Sequence, residues 1–291
     1  MHLGTARTAL LAWLRARSQG GAFLLRLEDL DSPRVKPGAA EALMDDLRWL
    51  GLDWDEGPDL GGPCGPYEQS ARLERYQAAF DRLKGQAALF PCSCSRRELD
   101  GIASAPHGDE SLYPGLCRKG PLHPERPLAW RYAMPEAEAV EDRLKGRQAA
   151  LRDDFVVRRA DGVFSYQLAC AVDDLAMGVT EVLRGDDLLA SAARQQSLFK
   201  AFGRTPPAWL HVPLLLGADG ARLAKRHGAT AVAQWRAAGW KPEALVGLLA
   251  QTLGLAPVGA TVMPRELVAG FEVGKLDREA WRFQGPWPSH E

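Results

Sequence analysis

Two short segments, one near the start and one in the last third of the chain, carry residues suited to phosphate chemistry. His2-Leu3-Gly4-Thr5 stands directly before an apolar-periodic stretch. The spacing of Leu10, Leu11 and Leu14 predicts a helix over residues 5–18, with Gly20-Gly21 as its stop. A helix N-terminus presents unbonded N–H groups and the positive end of its dipole, so it can hold phosphate. Gly4 leaves the backbone open to a flat ring or a phosphate, and His2 can donate to a phosphate oxygen. Arg222-Leu223-Ala224-Lys225-Arg226-His227-Gly228 follows an apolar stretch and the turn Gly217-Ala218-Asp219-Gly220. Arg222, Lys225 and Arg226, in a loop closed by glycine, suit a polyphosphate chain.

The cysteines suggest a second chemistry. Cys92-Ser93-Cys94 is a tight pair, and Cys117 follows in a segment rich in Pro, Gly and charge. Three thiols in such a segment read as metal ligands rather than as core residues. By chemistry alone His107, His123 and Tyr113 are all open as the fourth ligand. The chain has 5 cysteines, an odd number in so long a chain, which argues against a disulfide framework and for a reducing, cytoplasmic setting. Cys64 and Cys170 read as structural thiols.

The elements that must position these groups alternate. Residues 22–27 read as a buried parallel strand, and Pro37 opens a helix that ends at Gly51. A third helix is expected over residues 70–84, with a short strand at 88–90. β-like stretches fall at 128–132 and 155–158. Further along come a strand at 180–183, a helix at 188–202 and a strand at 212–216. The last stretch reads as helical, with Trp235, Trp240, Leu245, Leu248 and Leu249 as apolar faces. Helices alternating with apolar strands indicate an α/β fold around a mainly parallel sheet. The segments expected are 1–91 and 161–230 as two halves of one domain, 92–160 as an inserted subdomain, and 231–291 as a C-terminal helical region.

Composition narrows the classes. The 291 residues leave room for one large or two modest domains, and 46% hydrophobic residues can bury a real core. A net charge of −1 excludes a blanket polycation, so nucleic-acid contact requires a local patch. No apolar run approaches the ~20 residues of a membrane helix. The stretch before Glu28 carries Arg7, Arg15, Arg17 and Arg26 and no acid, as a transit peptide would. Its helical spacing and the strand pattern that follows read instead as part of the fold.

Taken together, HLG-x-A-R near the start and RLAKRHG later resemble the paired HIGH and KMSKS motifs of class I aminoacyl-tRNA synthetases. Leu25-Arg26-Leu27-Glu28-Asp29-Leu30-Asp31 resembles the LRIEDTD stretch of the glutamyl enzymes. Asp161-Gly162-Val163-Phe164-Ser165-Tyr166-Gln167-Leu168-Ala169, with Val172-Asp173-Asp174, resembles their tyrosine-bearing substrate strand. Val182-Leu183-Arg184-Gly185-Asp186-Asp187-Leu188-Leu189, with Arg194-Gln195, resembles their RGxDLL…RQ segment. The order of these motifs makes the resemblance specific. It departs from the pattern at Ala224 and Arg222, which replace a serine and a lysine of KMSKS, and at Thr5, which replaces the second histidine of HIGH.

The resemblance implies a Rossmann-like class I synthetase catalytic domain with a zinc-bearing insertion and a short C-terminal helical region. It implies attack of an amino-acid carboxylate on the α-phosphorus of ATP, with Mg2+ accompanying ATP. His2, Gly4, Arg222, Lys225 and Arg226 would lie against ATP, with His2 and Lys225 in catalytic roles. Glu28 would accept from the ammonium of L-glutamate, and Tyr166 and Arg184 would fix the amino acid. The short stretch after Gly228 points to the glutamyl-Q branch of the family, which attaches glutamate to queuosine in the anticodon loop of tRNA(Asp). In that branch Cys92, Cys94, Tyr113 and Cys117 would hold one Zn2+. The expected partners are L-glutamate, ATP and tRNA(Asp) carrying queuosine, with no membrane, and the protein is expected to act as a monomer. Two other readings stand beside it: a glutamyl-tRNA synthetase core that charges a tRNA 3′ end, and an inactive RNA-binding paralogue. The family also has a strand and an RFAPSPTG-like loop ahead of HLG. On that resemblance, a version extended upstream is expected to be more stable and to activate glutamate better.

Overall fold

The computed structural model describes residues 1–30, 36–95, 97–99, 112–221, 223 and 231–282. Helix α1 (Leu3–Ser18) buries Leu3, Ala6, Leu10 and Leu14 along one stripe and ends where Gly20 takes φ +62°. Gly21 N–H then bonds back to Ala16 O at 2.9 Å, closing the last turn. Helices α2 (Ala39–Trp49) and α3 (Leu73–Gly85) follow, α3 entered through a 3-10 turn at Gln69–Arg72.

Strands β1 (Leu89–Cys92), β2 (Ala129–Tyr132) and β5 (Phe155–Arg158) form one antiparallel sheet in the order β1-β2-β5. β1 and β5 alternate buried and half-buried positions, as in a sheet with one wetter face. Strands β3 (Glu141–Asp142), β4 (Gly146–Arg147), β6 (Glu181–Gly185) and β7 (Ala208–Val212) form a second sheet in the order β4-β3-β7-β6. Here β7 runs parallel to both β3 and β6. Helix α4 (Tyr166–Ala176) precedes β6, and α5 (Leu189–Ala201) connects β6 to β7. β8 (Leu215–Leu216) comes next, then helices α6 (Val232–Ala237), α7 (Pro242–Gln251) and α8 (Pro264–Val268), and finally β9 (Trp281–Arg282), which pairs in parallel with β8.

In place of one mainly parallel sheet there are three: an antiparallel one, a mixed one and the β8-β9 pair; among the described residues the parallel pairs are β3-β7, β6-β7, β8-β9 and two single bridges. Those bridges belong to residues 22–27. Leu24 pairs with Glu56 and Leu27 with Glu68, so two separate partners replace one continuous ladder. That stretch is half-buried rather than fully buried. The strand expected at 212–216 is split: β7 covers Ala208–Val212 and β8 covers Leu215–Leu216, with Pro213, which has no N–H to extend the ladder, between them. The tyrosine-bearing strand is a helix instead. Ser165 caps it, its hydroxyl accepting from Leu168 N–H, and Tyr166 is the first helical residue.

The largest core joins α1, α7 and the ends of β7 and β8, through Leu10, Leu14, Leu210, Val212, Leu245 and Leu249 among others. Arg7 is buried within it. Its Nε donates to Thr252 Oγ1 (3.0 Å), one terminal nitrogen to Thr252 O (3.1 Å) and the other to Pro213 O. Burial pulls the Arg7 pKa down to about 10. The arginine of the HLG-x-A-R segment is thus a strut between α1, α7 and the turn after β7.

Candidate functional site

Tyr166, Cys170 and Arg184 are brought together by α4 and β6. Tyr166 and Cys170 are one turn apart on α4 and share a face. Arg184 projects from β6, with four hydrogen bonds to named partners. Its Nε donates to His211 Nε2 (3.0 Å), and one terminal nitrogen donates to Gln195 Oε1 (2.8 Å) and Tyr166 Oη (3.3 Å). The other donates to Leu188 O (3.2 Å). The guanidinium also lies 5.2 Å from the centre of the Trp209 ring. A guanidinium has five N–H donors, so one remains, on the terminal nitrogen that also donates to Leu188 O. Tyr166 is 36% exposed while Arg184 is 8% exposed, so the cation is the more deeply buried residue of the pair; burial also pushes the Tyr166 hydroxyl above its ordinary pKa.

Glu28 joins the group from residues 22–30. Its Oε1 accepts from Cys170 Sγ at 3.2 Å and from Arg26 at 3.3 Å. Burial, reinforced by Glu28, pushes the Cys170 thiol well above its ordinary pKa, so the thiol is a protonated donor. Arg26 also donates to Asp174 (2.7 Å). The neighbouring Asp173 is fully buried and accepts from Gln69 (2.9 Å), Arg72 (2.5 Å) and Tyr76 (2.8 Å). Cys170, read from sequence as structural, is therefore part of the group that holds Glu28.

His2 and Gly4 lie at the start of α1, away from these contacts. His2 is the exposed N-cap residue with no side-chain cap bond. A Cβ added at Gly4 would meet nothing within 4 Å, so the space in front of the first turn is open. His2 pairs with Ala231, and Val232 N–H donates to Met1 O at 2.9 Å. The start of the chain is thereby tied to the first residue described after the RLAKRHG segment. Arg222, Lys225 and Arg226 themselves lie outside the described residues, as does His107.

The cysteines form the second candidate centre. Cys92, Cys94 and Cys117 place their sulfurs within 4.8 Å of one another. Cys94 and Cys117 sulfurs are 3.6 Å apart, and Tyr113 Oη lies 3.5 Å from Cys92 Sγ and 3.7 Å from Cys94 Sγ. Zn–S bonds of about 2.3 Å and Zn–O bonds of about 2.0 Å imply tetrahedral edges of roughly 3.5–3.8 Å. Those three edges fit zinc on that measure. Burial pushes the Cys94 thiol up to about 12. Burial acts the same way on Cys117, but N–H groups of Leu122 and Ser93, with the Tyr113 hydroxyl, pull it down to about 6. Arg131 donates to Cys92 Sγ (3.3 Å) and lies 3.8 Å from the centre of the Tyr113 ring, a counter-charge for an anionic cluster. His123 is excluded as a ligand: its ring faces Glu98 (3.4 Å) and Glu125 (3.7 Å).

Sequence reasoning missed His211 and Asp142. His211 is the direct register partner of Arg184 on the adjacent parallel strand β7. A strand placed at 208–212 rather than 212–216 would have revealed it.

The motif order, the mixed α/β fold and this grouping define a class I synthetase catalytic domain. A family model described as tRNA synthetases class I (E and Q), catalytic domain, matches residues 1–275, and the chain belongs to that family. Within it the chain groups with the glutamyl-Q tRNA(Asp) synthetases. It is 54% identical to the one from Symbiobacterium thermophilum, across 97% of this chain and 92% of that protein. It is 49% identical to the one from Deinococcus radiodurans, across 92% and 90%. Among solved structures, a glutamate tRNA ligase from Elizabethkingia meningosepticum, in complex with its amino acid, superposes with a TM-score of 0.79 at 29% identity. The match covers 98% of this chain, which spans 64% of that ligase's length. No described helix is long and apolar enough to cross a membrane.

Proposed function

We propose that this protein activates L-glutamate with ATP, as glutamyl-adenylate, and passes the glutamate to queuosine in the anticodon loop of tRNA(Asp). The observation that carries the reading is the convergence of Glu28, Tyr166 and Arg184 through Cys170. The group offers a carboxylate for an ammonium, and a phenol and a guanidinium for a carboxylate. The relatives' names support the glutamate and the tRNA.

In this reading the α-carboxylate oxygen attacks the α-phosphorus of ATP, and the bond to pyrophosphate breaks. Little proton transfer is needed, so alignment and charge stabilisation dominate. Glu28 accepts from the ammonium. Arg184 contributes its remaining N–H, and Tyr166, which accepts from Arg184, contributes its own O–H to a carboxylate. His2, Gly4 and the first turn of α1 receive the nucleotide. Arg222, Lys225 and Arg226 neutralise the phosphates, with Lys225 at the developing charge. Mg2+ arrives with ATP. Cys92, Cys94, Tyr113 and Cys117 would hold zinc, which cross-links the segment around them and takes no part in the reaction.

The test has two stages. Pyrophosphate exchange that depends on glutamate and needs no tRNA is expected; its absence overturns the activation step. Nuclease mapping of tRNA(Asp) charged with labelled glutamate should then find the label on queuosine. Label on a 3′-terminal adenosine would assign the transfer to the other branch of the family.

A further inference from the structure

Two buried groups behind Arg184 have no role in the reaction so far. His211 is wholly buried and Asp142 is 4% exposed. Arg184 Nε carries a hydrogen and can only donate, so His211 Nε2, 3.0 Å away, must be the unprotonated, accepting nitrogen. The proton of the neutral ring is then on Nδ1, which faces Asp142 Oδ2 at 2.7 Å. Asp142 is itself held. Oδ2 also accepts from His211 N–H (2.9 Å), and Oδ1 accepts from the N–H groups of Leu144 (2.9 Å) and Lys145 (2.8 Å). These bonds run across three adjacent strands or their ends: β6, β7 and β3.

We propose that His211 is a positioning residue that sets the direction of Arg184, and that Asp142 acts through it by fixing the imidazole as the neutral, Nδ1-protonated form. The proposal rests on the reading of Arg184 as the carboxylate-binding cation. The guanidinium is planar, so anchoring its Nε fixes where its one remaining N–H points. With that anchor removed, the cation stays in the site on its other three bonds, and its free donor is aimed less closely.

The charges facing His211 set the pH range of the device. Arg184 approaches from β6, Asp142 from β3, and Asp186 from the turn after β6, where it pairs with Lys145 at 2.8 Å. The Trp209 ring stacks on the imidazole from the same strand. Burial holds the imidazole below its ordinary pKa and Arg184 acts in the same direction; the Asp142 carboxylate opposes them without prevailing. Protonation would set a second N–H against Arg184 Nε–H, and the bond would be lost. Glutamate binding therefore weakens as pH falls through the His211 pKa, below the ordinary imidazole range.

The experiment is pyrophosphate exchange by the full chain with glutamate or ATP as the varied substrate, for wild type, His211→Leu, His211→Gln, Asp142→Asn and Arg184→Ala. His211→Leu is expected to raise KM for glutamate about ten- to a hundred-fold, the loss of one charged hydrogen bond, with KM for ATP nearly unchanged. His211→Gln keeps a carbonyl acceptor and should recover most of that loss. The wild-type profile of 1/KM for glutamate should fall on the acid side, and His211→Gln should lack that limb. Equal rises in both KM values, or an acid limb that persists in His211→Gln, would overturn the proposal. Where His211→Leu does not fold, the acid limb in His211→Gln and Asp142→Asn decides alone. Exchange that is lost in Arg184→Ala but unchanged in every His211 variant would refute this inference and leave the proposed function standing. Wild type inactive with glutamate would overturn both.

Discussion

Arg184, proposed here as the carboxylate-binding cation, has little freedom to move. Four of its donors are committed within the protein, and the remaining one is on the nitrogen that also donates to Leu188 O. Tyr166→Phe removes the O–H and leaves the ring. It is expected to raise KM for glutamate by about three- to ten-fold, the net worth of one hydrogen bond, with kcat little changed. Steady-state exchange kinetics would measure it, and a fall in kcat with KM unchanged would move Tyr166 from binding to the chemical step. Lys225 has the opposite expectation. Lys225→Ala should lower adenylate formation about 10²–10³-fold, the usual effect of losing one preorganised charge donor. Unchanged exchange in the folded variant would remove Lys225 from the reaction. The types of these residues were legible in the sequence because motif order names them. Cys170 and His211 were not, since each is tied to the candidate site by a hydrogen bond to a neighbour on another element.

At the scale of elements, the cysteine segment is the most self-contained device. Cys92, Cys94, Tyr113 and Cys117 are close to tetrahedral spacing, and Arg131 supplies the counter-charge. Metal analysis of the purified protein is expected to give one zinc per chain, lost or sharply reduced in Cys94→Ser. Equal zinc in both samples would exclude this ligand set. Helix α7 makes a different demand. A Cβ at Gly247 would fall 1.8 Å from Ala260 O, so only glycine lets the loop approach the helix there. Gly247→Ala should destabilise by about 1–3 kcal/mol, the usual range for overpacking, and lower Tm by several degrees. An unchanged melting curve would show that the loop moves freely away. Helix positions were well read from periodicity: α1 spans Leu3–Ser18 against an expected 5–18, and α5 spans Leu189–Ala201 against 188–202. The strands expected at 155–158, 128–132 and 180–183 fall at Phe155–Arg158, Ala129–Tyr132 and Glu181–Gly185, and those expected at 22–27 and 212–216 were read less well. Four apolar residues look alike as strand or turn until Pro213 is seen to end β7 and residues 22–27 are seen to divide their bonds between two partners.

For the molecule as a whole, the prediction concerns which RNA is modified. Labelled glutamate should appear on tRNA(Asp) that carries queuosine and not on tRNA(Glu) that lacks it. Transfer to the 3′ end of queuosine-free tRNA(Glu) would assign the protein to the longer-chain activity of its family. The described residues also pack across long separations in the chain. His2 bridges to Ala231, Arg7 reaches Thr252, and β8 pairs with β9, so α1, the segment after the basic loop and the C-terminal region share one core.

The sequence by itself determined the family and the order of the motifs, and it named the candidate site residues, because those depend on residue type and on spacing along one chain. It also determined most helices, whose bonds are local. The tertiary structure alone decided that Cys170 donates to Glu28, that His211 sits behind Arg184, and that the strands form three sheets rather than one mainly parallel one. Each of these joins residues distant in the chain, and strand register sets which of them meet. A shift of a few residues in β7 would remove His211 from Arg184 while leaving the sequence pattern almost as convincing.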